Sequence, residues 1–315
     1  MAEFNNQKLI AVVGPTASGK TSLAIKIAKQ FNGEIISMDS MQIYKYMSIG
    51  TAKPTEEEMD GVPHHMLDFV EPGQTFTAND YAEIARQKIA EITSRGKTPI
   101  LCGGTGLYLN SVLYAYEMSE AAGDDDLRAE LEKFAAENGN NALHDRLKAL
   151  DEQSAFEIHP NNVKRVVRAL EICILTGKPR SEQMTAEPTN VYPALIFGME
   201  MPRDELYDRI NKRVDIMLEQ GLLNEFEDLL SQDILNVEDK TSQASQAIGY
   251  KELLSHKRGE ISLEEAIDQI KMNSRRYAKR QLTWFRRNND ILWLDPRNDE
   301  NVQTALVKIE SFLKG

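Results

Sequence analysis

An α/β fold, built on a parallel sheet and interrupted by a helical insertion, is what the sequence predicts on three observations. Short apolar runs alternate with helix-period stretches through the first third of the chain. A glycine-rich turn joins the first such run to the first helix. From residue 117 to about residue 188 the pattern is helical without a convincing strand. With 315 residues the chain has room for two domains, or for one domain carrying a large insertion. The division expected is a core made of 1–116 and 191–315, with 117–190 inserted into it.

The elements follow in order. Leu9–Val13 is a continuous apolar run of the kind buried on both faces of a parallel sheet. A helix is expected over 20–31, and a second strand over 34–38, ending in Asp39-Ser40. A helix around 81–95 leads to a third strand over 99–102, which ends in Gly103-Gly104. This order implies right-handed crossovers and ligands at the carboxyl ends of the strands. The insertion opens in a soft stretch, 121–126. Beyond it, β-like runs at Ala194–Met199 and Ile291–Leu294, separated by long amphipathic helices, are expected to complete the sheet.

Composition excludes several classes. Hydrophobic residues make up 41% and charged residues 27%, enough for a packed core and against wholesale disorder. No apolar run approaches the roughly 18 residues of a membrane helix. The start of the chain lacks the basic and cleavable pattern of a secretory leader. Cys102 and Cys173 are the only cysteines, too few for a disulfide framework. A cytosolic protein is expected. The net charge of −12 repels nucleic acid on average, so any RNA binding needs a local basic patch.

Gly14-Pro15-Thr16-Ala17-Ser18-Gly19-Lys20-Thr21 fits G-x-x-x-x-G-K-[ST] and lies between an expected strand and an expected helix. Gly14, Thr16, Ala17, Ser18 and Gly19 would curl backbone amides around phosphate oxygens, aided by the helix N-terminus. Lys20 would neutralise the terminal phosphate, and the Thr21 hydroxyl would reach a Mg²⁺ ion. The motif does not settle which phosphate compound binds. A nucleotide hydrolase or kinase normally places a metal-binding Asp at the end of a following strand. Here the third strand ends in Cys102-Gly103-Gly104-Thr105-Gly106, and the acid at an equivalent strand end is Asp39. A carboxylate there suits a metal or a base near the reacting atom, or equally a plain turn Asp.

GPTASGKT, DSMQIYK, the stretch 63–68 (PHHMLD), GGTGLY and the late Tyr277-Ala278-Lys279-Arg280-Gln281 with Trp284-Phe285-Arg286 together resemble the bacterial tRNA dimethylallyltransferases (tRNA isopentenyltransferases). The motifs keep their order from residue 9 to about 290. The resemblance implies a P-loop NTPase-like core and prenyl transfer rather than phosphoryl transfer. A dimethylallyl group would move from dimethylallyl diphosphate to N6 of the adenosine on the 3′ side of the anticodon, position 37 of tRNAs reading codons that begin with U. The phosphate loop would hold the donor's diphosphate, with Arg209 or Arg213 reaching it. Asp39 would be the general base and Thr105 would lie close to both substrates. The same resemblance puts Ser40, Met41 and Gln42, Arg128, the helix with Asn161, Lys164, Arg165 and Arg168, and Gln246, Gly249 and Tyr250 against the tRNA anticodon stem-loop, and it implies a monomer.

Between Lys271 and Asn289 stand seven basic residues and no acid, interleaved with Tyr277, Trp284 and Phe285. In an acidic chain, Arg275, Arg276, Lys279 and Arg280 favour RNA phosphate contact, and the aromatics suit base stacking or the core. His64 and His65, adjacent on an extended segment, point to opposite faces and are poor candidates for one metal ion. Two other readings stand beside prenyl transfer. One is a phosphate-loop small-molecule or nucleoside kinase, which the first 110 residues alone would permit. The other is a non-catalytic RNA-binding module.

Overall fold

The computed structural model describes residues 7–115, 123–183 and 189–315. The first six residues, the start of the soft stretch at 121 and the expected end of the insertion near 188 lie outside the described residues. Contacts divide the chain into two compact units, Met1–Leu113 with Val191–Gly315, and Tyr114–Asn190.

Among the described residues the strands are β1 (Leu9–Val13), β2 (Gly33–Met38), β3 (His64–His65), β4 (Thr98–Gly103), β5 (Tyr114–Ala115), β6 (Thr189–Asn190), β7 (Ala194–Met199) and β8 (Ile291–Leu294), and the first unit is an α/β layer structure. Six of them form one sheet in the order β3-β2-β4-β1-β7-β8, parallel at every pairing. β1 is central and buried along its full length, as its unbroken Leu-Ile-Ala-Val-Val run requires. Val13 and Met38 are both level with Gly103. The residues that follow them, Gly14, Asp39 and Gly104, therefore leave the sheet along one carboxyl edge. Ile10, Val12, Ile35, Ile100 and Phe197 from the sheet pack with Leu23 and Ile27 of the helix Lys20–Gln30 and with Leu306 and Ile309 of the C-terminal helix Asp299–Lys314.

The expected strands and the first helix form where the apolar runs placed them. The helix expected from 81 begins earlier, at Ala78, because Thr77 and Asp80 close a capping box around its first turn. Two short elements had no signal of their own. β3 is two residues long and exists through its pairing with β2. The helix Gly106–Leu113 starts at once after Thr105, and its Tyr108 stacks on Tyr81 with ring centroids 3.9 Å apart.

The second unit is helical, built from Asp125–Asn138, Asn140–Leu150, Glu152–Glu157, Val163–Thr176 and Arg180–Gln183 around Leu131, Leu143, Leu147, Val166 and Leu170. Its ends, β5 and β6, pair antiparallel, Tyr114 with Asn190 and Ala115 with Thr189. A buried carboxylate organises it. Glu171 accepts from the Asp124 amide at 2.7 Å and pairs with Arg128 at 2.8 Å and with Arg168.

Glu34 plays the corresponding part under the sheet. Its side chain, 5% exposed, accepts from Arg95 at 2.6 Å and Lys97 at 2.7 Å, with His65 Nε2 at 2.6 Å. Burial alone would raise the pKa, but the bonds from Lys97, His65 and Arg95 hold it at about 2. His64 turns instead to the Val62 carbonyl, 2.8 Å from Nδ1, so the two histidines have different partners. The gap between the ordinary 4.5 and about 2 is equivalent to about 3 kcal/mol of folding free energy. A folded pKa below the unfolded one contributes above the unfolded value and is lost as pH falls through the folded one. Urea melts should therefore show the wild type exceeding Glu34→Gln by a margin that is full at pH 6 and shrinks towards pH 2. A margin independent of pH would show that Glu34 does not carry it.

Candidate active site at the carboxyl edge of the sheet

The phosphate loop leaves β1 at Gly14, whose φ of 145° suits glycine, and where a β-carbon would lie 2.9 Å from Met199 Cβ. Ala17 and Gly19 also take left-handed angles, 62° and 87°, which curl the chain before the helix begins at Lys20. No side chain caps that helix, so its first amides are left facing the loop. The Ser18 hydroxyl is wholly buried with no partner among the described residues. Lys20 Nζ donates to the Pro15 carbonyl at 2.6 Å. Loss of hydration lowers the Lys20 pKa to about 8, with Arg213 adding to the fall and Cys102 and Asp39 opposing it.

The structure separates the two arginines of the helix Arg203–Glu219. Arg213 reaches the loop, its guanidinium 3.4 Å from the Thr16 hydroxyl oxygen and 3.4 Å from the Ala52 carbonyl. Burial lowers its pKa, against the pull of Asp39 and Glu58, and the charge of Arg209 lowers it further. Arg209 is outside the cavity that Arg213 lines.

At the end of β2, Asp39 Oδ1 accepts from the amides of Met41 at 2.9 Å and Gln42 at 3.4 Å, a turn that fixes its orientation. Thr105 occupies the N-cap place of the next helix, its carbonyl accepting from Tyr108 at 3.0 Å, yet its hydroxyl is not spent on the cap. The Thr105 hydroxyl instead accepts from the Ser40 amide at 3.1 Å and donates to the Ser40 hydroxyl at 3.4 Å. Asp39, Ser40, Met41, Thr16 and Arg213 line one cavity of about 250 Å³. Its other wall is largely apolar, with Ile210, Val214, Met217, Leu222, Ile248 and Ile270.

Several expected contact residues have internal work. Gln42 donates to the Thr51 carbonyl at 3.3 Å and the Ala52 carbonyl at 2.9 Å, holding the loop that walls the cavity. Gln246 and Gly249 line the cavity, whereas Tyr250 is fully buried. The Tyr250 ring fills the space beside Gly50, where a β-carbon would lie 2.5 Å from it, and its hydroxyl donates to Glu225 at 2.5 Å. A side chain so enclosed acts as a strut for that loop, so any contact of this segment with RNA falls to Gln246 and Gly249 at the cavity. Glu225 itself went unnoticed in the sequence. It accepts from the amides of Ser48, Ile49 and Gly50 at 2.8, 2.8 and 3.0 Å and so shapes the same loop.

The basic residues divide too. On the helix Leu263–Phe285, Arg276, Lys279 and Arg280 are exposed. Arg275 donates to Asn211 at 2.5 Å and Lys271 pairs with Asp215 at 2.5 Å, both pinned to the helix Arg203–Glu219. Phe285 lies in the core and Trp284 packs beside Gly106, leaving Tyr277 as the aromatic on the cavity. In the helical unit Asn161, Lys164 and Arg165 are exposed, while Arg128 and Arg168 brace Glu171.

Fold and cradle thus define a phosphate-loop α/β protein whose anion site shares a cavity with a strand-end carboxylate. The profile of the IPP transferase family matches residues 42–288. A tRNA dimethylallyltransferase of Bacillus licheniformis is 51% identical over 98% of this chain and 96% of its own length. One from Bacillus cereus is 49% identical over 100% and 98%. The crystal structure of a full-length tRNA isopentenylpyrophosphate transferase from Bacillus halodurans aligns with a TM-score of 0.72 at 47% identity, covering 98% and 97%. A eukaryotic dimethylallyltransferase described as acting on tRNA aligns with a TM-score of 0.85 at 32% identity over 98% of this chain and 80% of the other. The chain belongs to the IPP transferase family of tRNA dimethylallyltransferases, and its sheet is the P-loop NTPase-like core expected from the sequence.

Because the Lys20 ammonium is the charged form below about 8, anion binding at this loop should weaken as pH rises through that value. Calorimetric titration with inorganic pyrophosphate from pH 6.5 to 9.5 should show affinity falling above about pH 8 relative to Lys20→Met, whose profile reports only the ligand's own ionisation. Parallel profiles would remove Lys20 from the anion site.

Proposed function

We propose that this chain transfers a dimethylallyl group from dimethylallyl diphosphate to N6 of adenosine 37, on the 3′ side of the anticodon, in tRNAs that read codons beginning with U. The observation that carries this reading is the single cavity on which Thr16 of the phosphate loop, Arg213 and Asp39 open together, backed by an apolar wall that suits a short isoprenoid. In the step, the allylic C–O bond of the donor breaks and a C–N6 bond forms. The N6 proton passes to Asp39 and diphosphate departs. Lys20, the loop amides, the helix N-terminus and Arg213 stabilise the charge that grows on the diphosphate oxygens. Thr105 orients the Ser40 segment beside Asp39 and stands within reach of both substrates.

Among the described residues no group of three or more His, Cys, Asp or Glu could hold a metal. That donor set fits Mg²⁺ carried in on the diphosphate, with the Thr21 hydroxyl as the protein's ligand. Such an ion supplies additional charge stabilisation to the leaving group. The target base has to leave the stacked loop at a cost of a few kcal/mol. Arg276, Lys279 and Arg280, with Lys164 and Arg165 of the helical unit, are the exposed cations that would hold the RNA backbone. Among the described residues no helix is long and apolar enough to cross a membrane, and Cys102 and Cys173 are buried free thiols. A monomer working in the reducing cytosol fits these features.

The test is direct. Incubation with Mg²⁺, dimethylallyl diphosphate and an anticodon stem-loop carrying A36-A37-A38 should yield a prenylated nucleoside by mass spectrometry, lost when A37 is replaced. Asp39→Ala should lower the rate about 100-fold or more while RNA affinity stays within about twofold. Phosphate transfer from ATP without prenylation would return the kinase reading. An undiminished Asp39→Ala would remove Asp39 as the base.

A second outcome concerns the basic helix. Neutralising Arg276, Lys279 and Arg280 together should weaken tRNA binding and flatten the slope of log affinity against log salt by about two to three. An unaltered slope would make that face a solvated surface only.

A further inference from the structure

Gln281 is a polar residue on the inward stripe of the helix Leu263–Phe285, between Ala278 and Phe285, and it is 5% exposed. Both ends of its amide are in use. Oε1 accepts from the Thr16 amide at 2.9 Å, and Nε2 donates to the Gly104 carbonyl at 3.0 Å. One turn earlier, Tyr277 lies on the cavity, near both Gln281 and Thr105. Gln281 does not itself line the cavity. One buried side chain therefore ties the third residue of the phosphate loop to the backbone just before Thr105. In doing so it spans β1 and β4 at the edge where donor and acceptor must meet.

We propose that Gln281 is a positioning residue for the transfer step, setting the separation between the diphosphate cradle and the Asp39–Thr105 edge without touching either substrate. The reaction it positions is the one proposed above, and the inference rests on that reading. The geometry explains why a small change matters here. A misplacement of about 1 Å between reacting groups is enough to cost about 100-fold in rate. A carboxamide is the side chain that offers an acceptor to Thr16 and a donor to Gly104 at once.

Two variants attack the clamp from opposite sides. Gln281→Met keeps the length and volume while removing both hydrogen bonds. Gly104→Ala places a β-carbon 2.0 Å from Gln281 Nε2 and pushes the amide away. The readouts are the single-turnover rate at saturating dimethylallyl diphosphate and stem-loop RNA, the dissociation constants of pyrophosphate and of the RNA, and the melting temperature. Both variants should transfer about 30- to 100-fold more slowly at saturation, with both dissociation constants within about threefold of wild type. The double variant should be no slower than the slower single one, since the same clamp is lost once. Rates within about threefold of wild type, or a loss that appears in affinity rather than in rate, would overturn the proposal. So would failure of both variants to fold, which would make the clamp purely architectural. Failure of the unsubstituted protein to prenylate any RNA would instead count against the reaction itself, and is scored separately.

Discussion

The site depends on how closely one helix comes down on the carboxyl edge of the sheet. Leu263–Phe285 approaches until Gly104 and Gly106 have no room for a side chain, while Gly103 is closed off by the neighbouring strand β2. A β-carbon on Gly103 would stand 2.0 Å from the Met38 carbonyl oxygen, one on Gly104 2.0 Å from Gln281, and one on Gly106 2.1 Å from the Trp284 ring. Closeness of that order is reached only where backbone meets backbone or a fitted side chain, and it leaves little slack in the interior. The same approach sets Tyr277 on the cavity, near Thr105. Gly104 and Gly106 are thus the negative image of the helix, and the cradle and the carboxylate edge inherit their spacing from it.

Electrostatics explains why an acidic protein presents an anion site here. Lys20 and Arg213 both stand beside the phosphate loop, where burial lowers the pKa of each and the charge of Arg213 lowers that of Lys20 further. Asp39 opposes the fall at both groups and Glu58 opposes it at Arg213, yet burial outweighs both carboxylates. The surplus positive charge sits next to amides that no side chain caps. An arriving polyphosphate restores neutrality without requiring the protein to rearrange its charges. In the proposed reaction, the acidic surface elsewhere would leave RNA attraction to local patches of exposed cations.

Much of this was legible in the sequence where the signal was local. Leu9–Val13, the glycine-rich turn and Lys20–Gln30 announce themselves because apolar runs, left-handed turn positions and helix period act within a dozen residues. The residues that shape the cavity wall carry no such mark. Glu225 gathers the Ser48, Ile49 and Gly50 amides from more than 170 positions away, and Tyr250 reads as an exposed contact until its ring is seen filling the space beside Gly50. The aromatics near the C-terminus were legible only as an alternative between stacking and the core. Their spacing with the arginines suggests stacking, but Phe285 shares its helix face with Ala278 and enters the core. One signal was available and went unused, since Gln281 falls on that same inward stripe. A carboxamide there has to find partners, because an unpaired buried amide costs about 1–3 kcal/mol.

The strand ends also explain why this sheet suits prenyl rather than phosphoryl transfer. The acid that would hold a metal after the third long strand is replaced by Cys102 and two glycines, and burial raises the Cys102 thiol to about 11, leaving it neutral. A neutral, glycine-lined strand end adds no charge where Gln281 and Thr105 must sit. The carboxylate stands instead at the end of β2, with β4 between it and the phosphate loop in the sheet order, so it faces the cavity from the side. A kinase needs its acid on the metal beside the phosphates, whereas an alkylation needs its acid on the incoming amine. Moving the charge by one strand and widening the gap with an apolar wall is enough to turn a cradle for phosphate into one for the leaving group of an allylic donor.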